Sequence, residues 1–183
     1  VGLITSLGTG TEKSWEAIKA GKCGIKEIKS FDTTESAVKI AGEVTDFDPT
    51  EFGIEKKEVK KLARNTQFAI AAAKMALEDS GLIIDEKNAT KVGTIVSSGI
   101  GGIEVFEEQY ETMLEKGTRR ISPFTIPAMI NNMASGNVGI YFGAKGPNKA
   151  VVTACAAGTH SIGDSYEMIK SGKTDAMITG GTE

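Results

Sequence analysis

An α/β fold built on a parallel sheet is predicted from three features of the chain. Short β-branched runs alternate with longer helix-period stretches from Val92 to Thr179, the order that places strands side by side with helices on their faces. Glycines mark the junctions, at Gly99-Ile100-Gly101-Gly102, Gly117, Gly143 and Gly158. The chain has 183 residues and 40% apolar composition, enough for one buried core, since domains commonly span about 100–200 residues.

Thr9-x-x-Glu12 matches a capping box, and Ser14 to Ala20 then closes on Gly21 as a short helix. Val38 to Val44 alternates as a half-buried strand that the turn Asp46-Phe47-Asp48-Pro49 ends. From Val59 to Ser80, the positions Leu62, Thr66, Ala69, Ile70, Ala73, Ala76 and Leu77 follow helical spacing, and Gly81 supplies the stop. Ala71-Ala72-Ala73 has almost no side-chain bulk, so a neighbouring element can approach this helix closely.

Val92 to Ser97 reads as a buried strand, followed by the glycine turn and a helix from Ile103 to Lys116. Pro127 suits a first helical turn, and Ala128 to Phe142 continues to Gly143. Lys149 to Ala154 is strand-like, Gly158 to Lys170 is helical, and Asp175 to Thr179 is a further strand. No low-complexity tract, linker or short repeat divides the chain.

With 21 basic and 24 acidic side chains and a net charge of -3, the chain is not expected to bind nucleic acid, which demands a basic excess. No run approaches the roughly 18 apolar residues of a membrane span. Only Cys23 and Cys155 occur, without metal-ligand or disulfide spacing, so no metal is expected and a reducing cytoplasm fits. The first residue is Val1, and the last four, Gly180-Gly181-Thr182-Glu183, follow directly on a strand; both ends are expected to be cuts in a longer chain.

Chemistry concentrates at Cys155. It stands between a strand and a helix, flanked by Thr153-Ala154 and Ala156-Ala157-Gly158. Small neighbours tolerate a sharp turn and admit a substrate carbonyl, and a helix N-terminus offers N–H groups to a developing oxyanion. Spacing alone nevertheless favours a buried structural cysteine, because thiols pack as small hydrophobes. His160 is the only histidine. Five helical residues rotate it by about 500°, or about 140° net, away from the face that Cys155 presents. It reads as a structural histidine, and any base for Cys155 must come from elsewhere. Cys23 has no comparable setting.

Two phosphate-binding signals fail. Gly99-Ile100-Gly101-Gly102 lacks the third glycine of a dinucleotide fingerprint because position 104 is Glu104, and Gly172-Lys173-Thr174 lacks the earlier P-loop glycine, which is Glu167 here. No cofactor is expected. Lys56, Lys57, Lys60, Lys61 and Arg64 form one basic cluster and Arg119-Arg120 a second. Such runs are usually a solvated face, but in an acidic chain they also suit an acidic partner.

The segment Thr153-Ala154-Cys155-Ala156-Ala157-Gly158-Thr159-His160-Ser161-Ile162-Gly163-Asp164 resembles the nucleophile segment of the β-ketoacyl-[acyl-carrier-protein] synthases of the thiolase-like superfamily. Gly8 to Ala20, Ser98 to Gly102, Ile121-Ser122-Pro123-Phe124 and Gly180 to Glu183 follow in that family's order, nearest to the synthase II type. Together these segments reverse the structural reading of Cys155. The resemblance implies a layered α-β-α-β-α fold of which residues 1–183 form the N-terminal half. It also implies an enzyme of fatty acid biosynthesis in which Cys155 accepts an acyl group from acyl carrier protein. Malonyl-carrier protein would then lose CO2 and attack the thioester, with the Cys155 N–H in the oxyanion hole.

By the same resemblance, Ile100 gates the acyl pocket with Gly99 and Ala154 beside it. Thr125 sits where well-known synthase II members carry an aromatic residue near the pocket floor. Lys57, Lys60, Lys61, Arg119 and Arg120 fall on positions that receive acyl carrier protein, and the strand from Lys149 to Ala154 corresponds to one that pairs across a homodimer axis. Two histidines, a lysine and the rest of the oxyanion hole belong to the C-terminal half, so residues 1–183 alone are expected not to condense. A polyketide-type ketosynthase, a thiolase, or a chain-length-factor-like subunit without catalysis are the rival readings. Cys155 speaks against the last.

Overall fold

The computed structural model describes residues 1–183. Its chain runs β1 (Ile4–Thr5), β2 (Gly8–Thr9), α1 (Thr11–Lys19), β3 (Lys26–Glu27), β4 (Ile40–Ala41), α2 (Lys56–Val59), α3 (Arg64–Ser80), β5 (Val92–Ser97), α4 (Ile103–Lys116), α5 (Thr125–Met129), α6 (Met133–Phe142), β6 (Asn148–Lys149), α7 (Ala157–Lys170) and β7 (Ala176–Gly181). The predicted α/β class holds: β6, β5 and β7 form a parallel sheet in that order, with Thr94 opposite Asn148 and Val92 to Ser97 opposite Ala176 to Gly181. Two short antiparallel hairpins, β1–β2 and β3–β4, lie outside it.

Every residue of β5 is buried, so its small and apolar side chains are covered on both faces of the sheet. Successive side chains on a strand point to opposite faces. Thr94 faces α6, where its hydroxyl donates to Ser135 O (3.2 Å) and the Ser135 hydroxyl donates back to Thr94 O (3.0 Å). On that side, Val96 and Ile178 join Ile54, Ala69, Ile70, Ala73, Ala134 and Val138 in one core, with Leu62 and Leu77 packed against it. On the opposite side Ser97 meets Ser161 of α7. The result is three layers, helices α3 and α6, the sheet, and α7.

The helical spacing of Leu62, Ala69, Ile70, Ala73 and Leu77 is therefore the core-facing stripe it implies, and Ala71-Ala72-Ala73 does admit a close neighbour. A Cβ on Gly2 would lie 1.9 Å from Ala72 O, so the N-terminal segment crosses α3 at backbone contact.

Several boundaries differ from the sequence expectation. The capping box does not form: α1 starts after Gly10, and the Thr9 hydroxyl instead donates to the Asp46 carboxylate (3.2 Å). The alternation of Val38 to Val44 yields only the two-residue strand β4, with Val38 and Ile40 exposed, because its partner β3 offers just Lys26 and Glu27. The long helix begins at Arg64; Val59 belongs to the separate turn α2, and Ala63 is extended (φ -60°, ψ 155°). Likewise 128–142 is broken at Ile130 (ψ 143°) into α5 and α6. Of the strand from Lys149 to Ala154, only Lys149 is paired, within β6; the chain then leaves the sheet toward α7.

Asp46 joins the N-terminal hairpin to the rest through Thr9 and Lys13. The Lys13 hydrogen bond, with those from Thr9, holds its carboxyl below the ordinary range. A lowered folded-state value stabilises the protein above the unfolded value of about 3.9, and that contribution vanishes as pH falls through the folded value. Asp46→Asn should thus lower the unfolding midpoint near neutral pH and leave it unchanged in strong acid, as read by urea melts across that range.

A close backbone contact between α7 and β7 positions the site. A Cβ on Gly181 would stand 2.9 Å from the Gly158 Cα, and one on Gly158 would stand 3.2 Å from the Gly181 Cα. Both neighbours are backbone and cannot yield. Gly181→Ala is expected to cost about 1–3 kcal/mol by overpacking, visible as a lower urea midpoint; an unchanged midpoint would mean that the helix can shift freely.

Candidate active site

Cys155 lies in a single 3-10 turn, Ala154–Ala156, that joins the end of the sheet to the head of α7. Its thiol is free and exposed, so the packing role that spacing alone favoured is corrected: a thiol open to solvent fills no core. Ala154 carries the turn, at φ 50°, the one non-glycine residue with positive φ. That conformation costs an L-residue roughly 1–2 kcal/mol, and a small side chain keeps the cost low. The Ala156 N–H donates to Thr153 O (3.1 Å), whereas the Cys155 N–H takes part in none of the turn, loop or cap hydrogen bonds.

Hydroxyl groups pin both arms of the turn. The Val151 N–H donates to Ser97 Oγ (2.8 Å), Ser97 Oγ lies 2.6 Å from Ser161 Oγ, and Ser161 Oγ lies 2.8 Å from Ala157 O. Strand arm and helix arm are thereby tied to the same point on β5. The His160 Nδ1 shares a 2.8 Å hydrogen bond with the Thr153 hydroxyl.

In front of Cys155 lies a cleft of about 570 Å³ lined by Gly99, Ile100, Ala154, Gly158 and Glu183, among others. Three of the four expected pocket residues, Gly99, Ile100 and Ala154, are thus brought to the thiol. Thr125 is not. It begins α5, where its hydroxyl donates to Ser122 O (2.6 Å), and it lines a separate notch of about 370 Å³ between α2 and α4. Position along the chain gave no means of separating the two.

Lys60 and Lys61 line that notch as well, with Arg64 and Ser122. Lys57 pairs with Glu55 (2.8 Å), Lys61 pairs with Glu58 (2.8 Å), and the Lys61 ammonium also lies 5.1 Å from the centre of the Phe124 ring. Arg119 and Arg120 are exposed in the turn Thr118–Arg120, which leads directly to Ser122. Of the two basic clusters, Lys60, Lys61 and Arg64 line the notch, whereas Arg119 and Arg120 do not. Cys23 is free and exposed and lines neither the cleft nor the notch.

A description of "Beta-ketoacyl synthase, N-terminal domain" belongs to the family model that matches residues 1–183. The chain belongs to the β-ketoacyl synthase family. The chain is 45% identical, over all of its 183 residues and 44% of the relative, to the 3-oxoacyl-[acyl-carrier-protein] synthase 2 of Synechocystis sp.. It is 45% identical to the protein of the same name from Staphylococcus aureus, over 45% of that protein. Among solved structures, the ishigamide ketosynthase/chain length factor superposes with a TM-score of 0.86 at 30% identity, over 98% of this chain and 45% of its own. The chain spans about half the length of the curated relatives it matches.

Two residues of the site escaped the sequence reading. Glu183 accepts from the Ser98 hydroxyl (3.0 Å), the Gly99 N–H (2.7 Å) and the Ile100 N–H (3.2 Å). The Asn131 amide donates to Ser98 O (3.2 Å) and Gly99 O (3.1 Å). The only signal for Glu183 was its place after Gly180-Gly181-Thr182, which gains meaning once β7 is known to pair with β5.

Strain at Ala154 sets a test of the turn. Ala154→Val puts a branched side chain at positive φ and should lose about 1–2 kcal/mol, whereas Ala154→Gly should fold at least as well. Equal urea midpoints for the two variants would show that the turn is free to rearrange.

Proposed function

We propose that this chain is the N-terminal half of a 3-oxoacyl-[acyl-carrier-protein] synthase of fatty acid biosynthesis, with Cys155 as its acyl acceptor. The observation that carries the reading is the exposed thiol on a strained, doubly pinned turn at the head of α7, facing a cleft. Small-residue turns of this kind present a nucleophile to a substrate carbonyl. The names and 45% identity of the relatives supply the reaction class.

In that reaction the Cys155 sulfur attacks the acyl thioester, a new C–S bond forms, and the carrier's thiol leaves. Malonyl-carrier protein then loses CO2; the resulting carbanion attacks the acyl-Cys155 carbonyl, and the Cys155 sulfur departs. The product is a 3-oxoacyl chain two carbons longer on the carrier. An unengaged Cys155 N–H at the turn suits a developing oxyanion. His160 is engaged with Thr153, and the proton transfers are assigned to the C-terminal half. The outward face of α7, with Ile162, Tyr166 and Ile169 exposed, supports a second half packed on that side, because apolar patches of this kind mark an interface.

Lys60 and Lys61, which line the α2–α4 notch, together with Lys57, Arg119 and Arg120, are read as the landing surface for the acidic acyl carrier protein. The exposed segment at Val152, unpaired within this chain, is read as the one that becomes a strand by pairing in a homodimer, which would cover its backbone groups. No helix is long and apolar enough to cross a membrane, and the cytoplasm is the proposed location. A non-catalytic chain-length-factor role is disfavoured by the presented thiol, and a polyketide ketosynthase by the higher identity to the fatty acid type.

Incubating the full-length synthase with acyl-carrier protein alone should give an acyl adduct on Cys155 by mass spectrometry, absent in Cys155→Ala. Malonyl-carrier protein should chase it into a 3-oxoacyl product. If no adduct forms, or the alanine variant acylates equally, Cys155 is not the acceptor and the pocket-subunit reading replaces this one.

A further inference from the structure

The loop from Ser98 to Gly101 is held by its backbone from two directions. Its amides are gathered by Glu183, beyond the end of β7, and the Gly101 N–H donates to Ser98 Oγ (2.7 Å). Its carbonyls at Ser98 and Gly99 are gathered by Asn131, in the link between α5 and α6. Past it the chain is equally fixed, with the Gly102 N–H donating to Met129 O (2.9 Å). The loop carries one large side chain, Ile100, which is 62% exposed and stands in the cleft with Cys155.

A side chain this exposed has little packing to hold it, so its location follows from the backbone that bears it. The backbone in turn depends on a carboxylate, whose hydrogen bonds are stronger than those of a neutral acceptor. Two glycines follow, Gly101 at φ 85° and Gly102, so the loop has conformational freedom to use once the clamp is released. We propose that Glu183 is a positioning residue that fixes Ile100 over the cleft and so sets which acyl chain lengths reach Cys155. This inference rests on the acyl-acceptor reading of Cys155.

Glu183→Gln is the discriminating change. Its amide keeps one acceptor oxygen but turns an NH2 toward a backbone N–H, so donor meets donor. Glu183→Asp keeps the charge on a shorter arm and should restore part of the selectivity. In the full-length synthase, the rates of Cys155 acylation from hexanoyl- and myristoyl-carrier protein are measured by mass spectrometry and taken as a ratio, in which any general loss of activity cancels. Glu183→Gln should shift that ratio by about tenfold, the scale of one hydrogen bond to a charged group. In an Ile100→Ala background the same change should shift it no further, since the effect passes through Ile100.

Wild-type enzyme that takes up neither acyl group defeats the acceptor reading itself. If the wild type acylates but the ratio is unmoved by Glu183→Gln, or moves equally without Ile100, the positioning role is overturned. Ser98→Ala removes the hydroxyl between Glu183 and Gly101 and undergoes the same cycle, so the test survives a Glu183 variant that fails to fold.

Discussion

The parallel pairing of β5 with β7 is the constraint on which the site depends. Six consecutive residue pairs, Val92 with Ala176 through Ser97 with Gly181, bring the C-terminal ends of two strands that are distant in sequence to one edge of the sheet. Active sites of open α/β sheets gather at such an edge because the loops beyond it converge there. Here the convergence places the Ser97 hydroxyl under the turn that bears Cys155, and Glu183 on the loop that follows β5. The Glu183 contact depends on this register, because Glu183 follows the end of β7 by two residues.

Close packing of α7 follows from the same edge. Gly158 and Gly181 let helix and strand meet at backbone distance, and the buried small residues Ala157, Ser161 and Ser165 continue that contact along the helix. Low bulk on this stripe has a chemical consequence. It draws the head of α7 in beside the sheet, so the turn before it must be tight, and the strain falls on Ala154. Strain of this size persists only where its surroundings over-determine it. The Ser97 and Ser161 hydroxyls do that by fixing both arms.

The chain carries apolar surface that its own layers do not cover, on α7 and along Ile103, Phe106, Tyr110 and Leu114 of α4. A stripe at this spacing is one face of a helix. It explains why the helical pattern of 103–116 is clear in the sequence although no residue of α4 is buried. Amphipathic spacing records that a face is destined for contact, not whether that contact is made within these residues.

The sequence by itself determined the α/β class, the buried strand Val92–Ser97, the helix Ile103–Lys116 and the turn that bears Cys155, since each is a local pattern of side-chain period, glycine placement and small flanks. It determined the family as well, through motifs that stand in order along the chain. Tertiary structure decided the rest. The Thr9 hydroxyl went to Asp46 rather than to a helix cap, the long helical patterns broke at Ala63 and Ile130, Thr125 moved to a different notch from Ile100, and Glu183 closed on the loop that carries Ile100. All of these turn on partners 30 or more residues away or on the path of a backbone link, and periodicity carries no information about which distant residue lies opposite.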